Sequence, residues 1–241
     1  MDFIYLEGRH AVLEAIRSEM NINYIMLAEG FHLPEIVKLA QERNIRIKKV
    51  SRVKMDHSSK TGRHQGTIAV ISEFKYIDSE QMIVSARNKG RHPFLILTDK
   101  VTDPHNLGAI IRSAECFGAD GVIIPRHRSA AINETVFRAS AGSVAHMPIA
   151  QATNLVNEIE KLKKAGLWVV CADVDGEDVA RVDLNMPVAL IVGSEGAGVS
   201  RLVKEKCDFV VRIPVVGRLD SLNVSVAAGI LMYLIGRVNA R

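Results

Sequence analysis

Two patterns of hydrophobic and polar positions divide the chain. Up to about residue 75, short β-branched segments such as Ile22–Ala28 alternate with segments of helical spacing such as Gly8–Ser18 and Pro34–Arg43. This alternation predicts a small α/β domain. From Pro93 onward the strands are almost continuously apolar, as in Pro93–Asp99 and Val188–Ser194. Such strands, alternating with helices, predict a parallel sheet with helices on both faces.

The change of pattern predicts the domain organisation. We expect a small domain at 1–75, a linker helix at 76–92 with a basic, glycine-containing end, and a larger α/β domain at 93–241. In a doubly covered parallel sheet, ligands bind at the carboxyl ends of the strands. The larger domain is therefore the place to look for a site.

The last predicted helix is unusual because its polar residues stand only at its entrance. Ser221, Asn223 and Ser225 precede a segment that is apolar on every side, from Val226 to Ile235. A helix that is apolar all round is buried, either in a large core or against another subunit. Ser or Asn at a helix entrance is also ordinary capping, so the polar residues by themselves leave a functional role open.

Composition removes several classes of protein. The longest apolar run, Val226–Ile235, is well short of the roughly 20 residues that cross a bilayer. Charged residues among the first 17 argue against a signal peptide. The three cysteines lie far apart without a CxxC pair, which indicates neither a zinc site nor a disulfide framework. We expect a soluble cytoplasmic protein with no membrane segment and no metal.

The positive charge of the chain is concentrated in one stretch. Between Arg46 and His64, seven Lys or Arg residues stand against one acid, Asp56. A dense basic stretch is expected of a protein that binds the phosphate backbone of a nucleic acid. The alternative is a solvated face over which acids from elsewhere in the chain fold.

A polar segment follows the first long apolar strand. An Asp-Pro pair breaks the strand, and we expect Asn106 to cap a helix that begins at Leu107. Arg112 projects from this otherwise apolar helix, so its guanidinium needs an anion such as a phosphate or a carboxylate. The alternative is a structural ion pair with Glu115 or Asp120.

Three glycines mark the end of a later apolar strand. Gly193, Gly196 and Gly198 allow the backbone to approach a ligand closely. Their GxxGxG spacing is not the dinucleotide fingerprint, and Glu195 would lie where a pyrophosphate needs positive potential. An NAD- or nucleotide-dependent enzyme is therefore a rival that lacks both GxGxxG and a P-loop at the first strand of the sheet.

Taken together, the three strand ends resemble the SpoU-type RNA 2′-O-ribose methyltransferases, the TrmH family of the SPOUT class. The matching motifs are DPHNLG with Arg112 beyond it, GSEGAG, and IPVVG followed by SLNVSVAAG, in that order. The segments GRHAVLEAIR and RHQG also resemble the ribosomal-protein-like RNA-binding domain that bacterial 23S rRNA guanosine-2′-O-methyltransferases carry. The resemblance covers essentially the whole chain.

The resemblance implies a trefoil knot in the carboxyl-terminal parallel-sheet domain, S-adenosyl-L-methionine as methyl donor, and a homodimer. Catalytic positions of the family fall on Asn106, Arg112, Glu195, Ser221 and Asn223. Cofactor-binding backbone falls on Gly193, Ile213 and Leu222. Our candidates for RNA contacts are Arg9, His10, Arg63 and His64, with Arg126, His127 and Arg128 extending the surface; the histidines are equally compatible with solvated surface residues.

The resemblance therefore implies methyl transfer to the ribose 2′-hydroxyl of a nucleotide, with guanosine in large-subunit rRNA as the expected target. A tRNA ribose methyltransferase and a self-protection enzyme acting on another rRNA loop remain alternatives within the family. A non-catalytic RNA-binding or ribosome-assembly protein on the same fold is a further alternative, although all five polar catalytic positions are present.

Overall fold

The computed structural model describes residues 3–18 and 20–239, with helices and strands numbered in chain order. The strands are β1 (Ile4–Glu7), β2 (Ile22–Ala28), β3 (Ile47–Val50), β4 (Thr67–Ile71), β5 (Phe94–Asp99), β6 (Gly121–Pro125), β7 (Ile149–Ala152), β8 (Trp168–Asp178), β9 (Val188–Gly193) and β10 (Phe209–Arg212). The α-helices are α1 (Arg9–Arg17), α2 (Pro34–Glu42), α3 (Arg52–Ser58), α4 (Ser79–Asn88), α5 (Pro104–Cys116), α6 (Glu134–Ala139), α7 (Leu155–Lys164), α8 (Arg201–Lys204) and α9 (Val224–Asn239).

The chain forms two compact units that are not continuous in sequence. The first unit comprises Met1–Lys75 and Ile132–His146, and the second comprises Tyr76–Ala131 and Met147–Arg241. The segment Ile132–His146, which contains α6, thus joins the first unit although it lies inside the range 93–241. Helix α4, within the range expected to be a linker, belongs to the second unit and buries Met82 and Ile83 in its core.

The first unit is built on a mixed four-stranded sheet in the order β1-β4-β2-β3. Strand β4 runs antiparallel to both β1 and β2, and β3 pairs parallel with β2. One face of this sheet packs on α3, where Met55 is fully buried against Met26 and Val70. The predicted small α/β domain is therefore present.

The second unit contains a six-stranded sheet in the order β10-β8-β9-β5-β6-β7, and every strand pair in it is parallel. All six residues of β5 and all six of β9 are buried, as their continuous apolar sequences predict. The predicted α/β fold class is confirmed. The trefoil knot that the resemblance implies stays a prediction.

Helix α9 is buried along one side only. Ala228, Leu231 and Ile235 are within 1% of complete burial, whereas Val226 and Tyr233 are 50% and 48% exposed. A stripe of apolar side chains therefore faces solvent in the single chain. Among the described residues, no helix has both the length and the apolar character needed to cross a bilayer.

Candidate active site

The strand order of the second unit creates one place where a ligand is expected. From β5 the chain proceeds to β6 and β7 on one side, while β9 returns to pair with β5 on the other. The register places Asp99, at the end of β5, opposite Gly193, at the end of β9. Ligands of parallel sheets bind outside the carboxyl ends of strands at such a reversal. The DPHN segment and the glycine segment both leave the sheet here.

Three predicted catalytic side chains meet at this edge of the sheet. The amide nitrogen of Asn106 donates to Glu195 Oε1 at 3.2 Å, and that of Asn223 donates to Asn106 Oδ1 at 3.1 Å. The amide of Asn223 also donates to Glu195. Asn106 and Asn223 lie 89 and 28 positions from Glu195 in the sequence. Sequence reasoning therefore identified the members of this triangle, and folding brings them into direct contact.

Asn106 is available to the triangle because another residue caps its helix. Helix α5 begins at Pro104, and the carboxylate of Asp103 accepts the hydrogen bond from His105 N at 3.0 Å. The expectation that Asn106 caps a helix beginning at Leu107 is therefore wrong. Proline is favoured in the first turn of a helix, directly after an acidic cap. The side chain of Asn106 is thereby left free to bond Glu195 and Asn223.

Asn223 also caps the amino-terminal end of α9. Its Oδ1 accepts hydrogen bonds from Ser225 N at 2.9 Å, from Ser225 Oγ at 2.6 Å and from Val226 N at 3.3 Å. Its amide nitrogen points the other way, to Asn106 and Glu195. Capping fixes the amide orientation, so the start of α9 positions one corner of the triangle.

The loop that carries Glu195 is a tight glycine turn. Ser194 and Gly198 exchange backbone hydrogen bonds of 3.1 and 2.9 Å. A Cβ added to Gly193 would lie 2.0 Å from the carbonyl carbon of Gly198. No side chain fits in that space, so Gly193 is required for the turn to close.

Asp99 anchors the same loop and was not among the predicted site residues. Its Oδ2 accepts a hydrogen bond of 2.7 Å from Ser200 N, and the residue is 4% exposed. A buried carboxylate is stabilised by such donation from a backbone N–H. Asp99 therefore ties the end of β5 to the end of the glycine loop. An acid that ends an apolar strand is the sequence signal that would have indicated it.

A cavity of about 710 Å³ opens beside the triangle. The three predicted cofactor-binding residues, Gly193, Ile213 and Leu222, all line it, and so does Ser221. Its volume lies within the range of roughly 300–1,000 Å³ typical of small-molecule sites. The structure thus gathers the predicted cofactor residues around one space.

The charges of this cavity suit a cationic ligand with an apolar part. Its lining combines apolar side chains with one cation, Arg212, and the carboxylates of Asp173, Asp175, Glu195 and Asp220. Asp173 is paired with Lys204 at 2.9 Å, and the hydrogen bond to Asp173, though opposed by burial, raises the pKa of the Lys204 ammonium. Asp175 also lies 3.7 Å from Lys204, which leaves Glu195 and Asp220 as acids without an ion pair among the described residues. These two carboxylates disfavour the pyrophosphate of a dinucleotide, so the alternative of an NAD-dependent enzyme loses support.

Arg112 stands apart from the triangle. Its side chain is exposed, and within the described parts of the chain it has no hydrogen bond or ion pair. The alternative pairing with Asp120 is excluded here, because Asp120 binds Arg91 at 2.6 Å and Phe94 N at 3.0 Å. Arg112 is therefore a charge on the second unit that is available for an external anion.

Two basic loops flank this edge of the sheet. Lys100 follows β5, and Arg126, His127 and Arg128 follow β6; all four are exposed. Ala130 N and Ser129 Oγ donate to Val101 O at 2.8 and 3.2 Å, which ties the loops together. Lys100 and Arg128 both adopt left-handed backbone conformations, with φ of 58° and 57°, which is uncommon away from glycine.

The four predicted RNA-contacting residues lie in the first unit, with different environments. Arg9 and Arg63 are exposed. His10 is exposed, and its Nε2 lies 3.0 Å from Ala141 O. His64 is 6% exposed; its Nε2 lies 2.8 Å from Asp56 Oδ1, and its Nδ1 accepts from Gly66 N at 3.0 Å. Both nitrogens of His64 are occupied, which favours a role in holding its loop.

The basic stretch remains largely uncovered. Of its seven Lys and Arg residues, Lys60 pairs with Glu134 at 2.7 Å and Lys48 lies 3.4 Å over the Tyr24 ring. Lys49, Arg52 and Lys54 are exposed without an ion pair to any residue that the structure describes. The described residues also contain no group of three or more His, Cys, Asp or Glu side chains arranged to hold a metal ion.

Comparison with known protein families gives two matches along the chain. Residues 93–233 match the SpoU rRNA Methylase family. Residues 5–77 match a second family, described as RNA 2′-O ribose methyltransferase substrate binding. Together these matches cover the ranges in which the motifs of the resemblance were found.

Whole-chain relatives agree with these matches. YacO of Bacillus subtilis, named for the TrmH family of tRNA/rRNA methyltransferases, is 41% identical over 237 residues, which cover 97% of this chain and 95% of YacO. The SpoU methyltransferase AviRb of Streptomyces viridochromogenes, solved with AdoMet, superposes with a TM-score of 0.82 at 24% identity, covering 98% of this chain and 90% of AviRb. An AdoMet-bound rRNA methyltransferase of Sinorhizobium meliloti has a TM-score of 0.81 at 27% identity, covering 98% and 87%. The resemblance inferred from the motifs is confirmed: the chain belongs to the SpoU rRNA methylase family and is an RNA methyltransferase of that family.

Proposed function

We propose that this enzyme transfers a methyl group from S-adenosylmethionine to the ribose 2′-hydroxyl of a guanosine in large-subunit rRNA. The observation that carries the proposal is the triangle of Asn106, Glu195 and Asn223 beside the 710 Å³ cavity. Ribose methylation needs groups that orient a hydroxyl next to a bound donor, and this arrangement offers both an orienting cluster and a space for the donor.

The cavity residues fit S-adenosylmethionine, which AviRb and the S. meliloti enzyme bind. Backbone near Gly193, Ile213 and Leu222 would hold the adenosine part, and the nearby carboxylates complement a positive charge. When bound, the cofactor supplies an electrophilic methyl carbon. The residues of the chain have to position the ribose and to stabilise the negative charge that develops on its 2′-oxygen.

Each catalytic residue has a physical role in this proposal. Asn106 and Glu195 orient the ribose, while Ser221 and Asn223 shape the pocket around the nucleotide. Arg112 binds the target phosphate and stabilises the negative charge that develops on the 2′-oxygen. A role for Arg112 as a general base is disfavoured because a guanidinium hardly loses a proton in proteins.

The same proposal assigns RNA capture to residues 1–75, chain connection to 76–92 and catalysis to 93–241. Arg9, His10 and Arg63 would contact the RNA, supported by the uncovered basic stretch around them. The rRNA target is favoured by the family description and by the S. meliloti relative. The guanosine rests on the resemblance to bacterial 23S rRNA methyltransferases.

We further propose a homodimer that works in the cytoplasm. The apolar stripe of α9, with Val226, Ile230 and Tyr233 between 36% and 50% exposed, is the surface that a second copy would cover. A trefoil knot around the cofactor crevice belongs to the same proposal.

The test is to map ribose methylation in total RNA from cells with and without the gene. We expect a single 2′-O-methylguanosine of the large-subunit rRNA to disappear, and purified enzyme with labelled S-adenosylmethionine to restore it. Loss of a tRNA methyl group would favour the tRNA alternative. No change in either RNA, with no label transferred, would favour a non-catalytic RNA-binding protein.

A further inference from the structure

The first unit contains a pocket whose two walls come from distant parts of the chain. One wall consists of β1, the start of α1 and the loop before β4; the other consists of α6 and the turn after it. We call this space, of about 240 Å³, the first-unit pocket. Nine of its fourteen lining residues lie within the substrate-binding match and five within the methylase match. A segment of the methylase sequence therefore completes a surface of the RNA-binding unit.

Two half-buried carboxylates hold the walls in place. Glu7 accepts hydrogen bonds from Ser59 Oγ at 2.7 Å, from Lys60 N at 2.6 Å and from both the backbone and hydroxyl of Thr61. On the other wall, Glu134 accepts from Tyr5 N at 3.3 Å and from Lys60 Nζ at 2.7 Å. These bonds fix the loop and α6 against β1, so the pocket exists before any ligand arrives.

The same bonds determine the charge that a ligand meets. Burial would raise the pKa of Glu134, but the hydrogen bonds from Lys60 and from backbone N–H groups outweigh it and lower that pKa. Both carboxylates are therefore ionised at neutral pH with their oxygens occupied by internal donors. Arg63 and Arg138 also line the pocket, are exposed, and have no side-chain partner among the described residues. The charged groups left to bind a ligand are thus the two guanidinium groups, beside the amide nitrogen of Gln65, whose Oε1 is taken by Arg9 N.

The pocket is apolar at its floor and has one partly accessible aromatic ring at its wall. Phe137 is 1% exposed and closes the floor, while the half-buried Tyr5 lines the wall together with the small residues Ala11 and Gly142. Single-stranded RNA is recognised by stacking of unpaired bases on aromatic rings, with Arg binding the adjoining phosphates. The volume of 240 Å³ is about a third of the second-unit cavity. It suits one base rather than a whole cofactor.

We propose that the first-unit pocket binds one unstacked nucleotide of the RNA substrate, with Arg63 and Arg138 on its phosphate groups. The inference rests on the proposed function only in taking RNA as the substrate. It assigns RNA binding to Arg138, a residue inside the methylase match, and so extends the RNA-contacting surface beyond residues 5–77.

The test compares Arg138→Gln with Arg181→Gln in the full-length protein. Arg181 is also exposed, lies in the second unit, and has no side-chain partner in the described chain. The probe is a fluorescein-labelled single-stranded RNA 20-mer of random sequence, followed by anisotropy. We expect Arg138→Gln to weaken binding roughly tenfold and to reduce the slope of log affinity against log salt by about 0.7, while Arg181→Gln stays within twofold of the parent. Equal binding by the two variants would overturn the phosphate contact.

A second variant tests whether a base enters the pocket. Ala11→Leu fills the space without changing charge, and leucine is a good helix former, so α1 is expected to persist. We expect weaker RNA binding with an unchanged salt slope, an unaltered thermal melt, and unchanged S-adenosylmethionine affinity by calorimetry. Unchanged RNA binding by this variant would exclude a base from the pocket.

These measurements separate the pocket from the proposed reaction. If RNA binds the parent protein but receives no methyl group, the proposed function is contradicted and the proposal that the first-unit pocket binds a nucleotide is unaffected. Normal methyl transfer with normal RNA binding by Arg138→Gln would contradict the pocket alone.

Discussion

Three candidate catalytic side chains of the second unit bond to one another, whereas three cations of the basic stretch in the first unit face solvent. Asn106, Glu195 and Asn223 form a closed triangle of hydrogen bonds. Lys49, Arg52 and Lys54 have no ion pair to any described residue. A closed network fixes geometry, and uncovered charges supply attraction without fixing it.

This difference predicts which substitutions each unit tolerates. Methyl transfer requires reacting groups held within a fraction of an ångström, so small displacements in the triangle or its glycine loop should be costly. RNA attraction by the basic stretch sums over many exposed charges, so the loss of one of its cations outside a formed pocket should be mild. Arg112 shares a feature with each unit. Its backbone is held in helix α5, but its guanidinium is exposed and has no partner among the described residues.

The largest effect is expected from Arg112→Ala. Removing one group that stabilises developing charge typically lowers kcat by about 10²–10³-fold. Because Arg112 is exposed and unpaired among the described residues, the thermal melt should not change. Methyl transfer from labelled S-adenosylmethionine measures the first quantity and circular dichroism the second. Arg181→Ala is the matched control. Near-normal turnover by Arg112→Ala would remove this residue from the mechanism.

A somewhat smaller effect is expected from Gly193→Ala. The new methyl group would lie 2.0 Å from the Gly198 carbonyl carbon, so the loop must shift at a cost of about 1–3 kcal/mol. We expect S-adenosylmethionine affinity, measured by calorimetry, to fall by roughly tenfold or more, since 1.4 kcal/mol corresponds to a factor of ten.

Gly217→Ala serves as the control for Gly193→Ala. A Cβ at Gly217 has nothing within 4 Å, and its φ lies outside the left-handed region. This variant should bind the cofactor like the parent. Equal losses in the two variants would mean that the loop responds to chain stiffness rather than to the close contact at Gly193.

The sequence predicted the cluster better than it predicted how the cluster is held. Motif order identified Asn106, Glu195 and Asn223, because their chemistry depends on residue type. Neither the Asp103 cap nor the bond from Asp99 to Ser200 was predicted. Both depend on where a turn places a carboxylate, which residue type alone does not determine.

The sequence did not predict which segments of the chain make up each unit, for a similar reason. Periodicity predicts a helix at Glu134–Ala141, which the structure has as α6 (Glu134–Ala139), but not the sheet against which it packs. The contacts of Glu134 with Tyr5 and of Glu14 with His146 join segments 129 and 132 residues apart. A deletion of residues 1–75 would remove the partners of α6, so point variants in the whole chain are the cleaner test of the first unit.

A moderate, salt-dependent effect is expected from the triple variant Lys49→Gln, Arg52→Gln and Lys54→Gln. If all three contact phosphates of single-stranded RNA, the slope of log affinity against log salt should fall by about 2. Anisotropy with the random RNA 20-mer between 50 and 200 mM salt measures this slope. Cofactor affinity should be unchanged. A slope equal to that of the parent would show that this stretch is only a solvated face.

The smallest effect is expected from Glu7→Gln, and it should depend on pH. Burial alone would raise the pKa of Glu7, but hydrogen bonds from Thr61, Ser59 and Lys60 N together lower it below 4.5. A lowered pKa stabilises the fold fully above the unfolded value and loses that contribution as the pH falls through the folded value.

At pH 7 the Glu7→Gln variant should therefore lose about 1 kcal/mol, a modest figure because the carboxylate is partly exposed. For a chain of this size, that corresponds to a fall in Tm of roughly 2–4 °C. The gap to the parent should narrow as the pH drops from 7 toward 3, since the parent carboxylate becomes increasingly protonated as the pH approaches its lowered folded pKa. Glu29→Gln, at an exposed position, should show no gap at either pH. A gap that persists unchanged at pH 3 would mean that Glu7 acts through its shape and not through its charge, and the walls of the first-unit pocket would then owe their rigidity to packing.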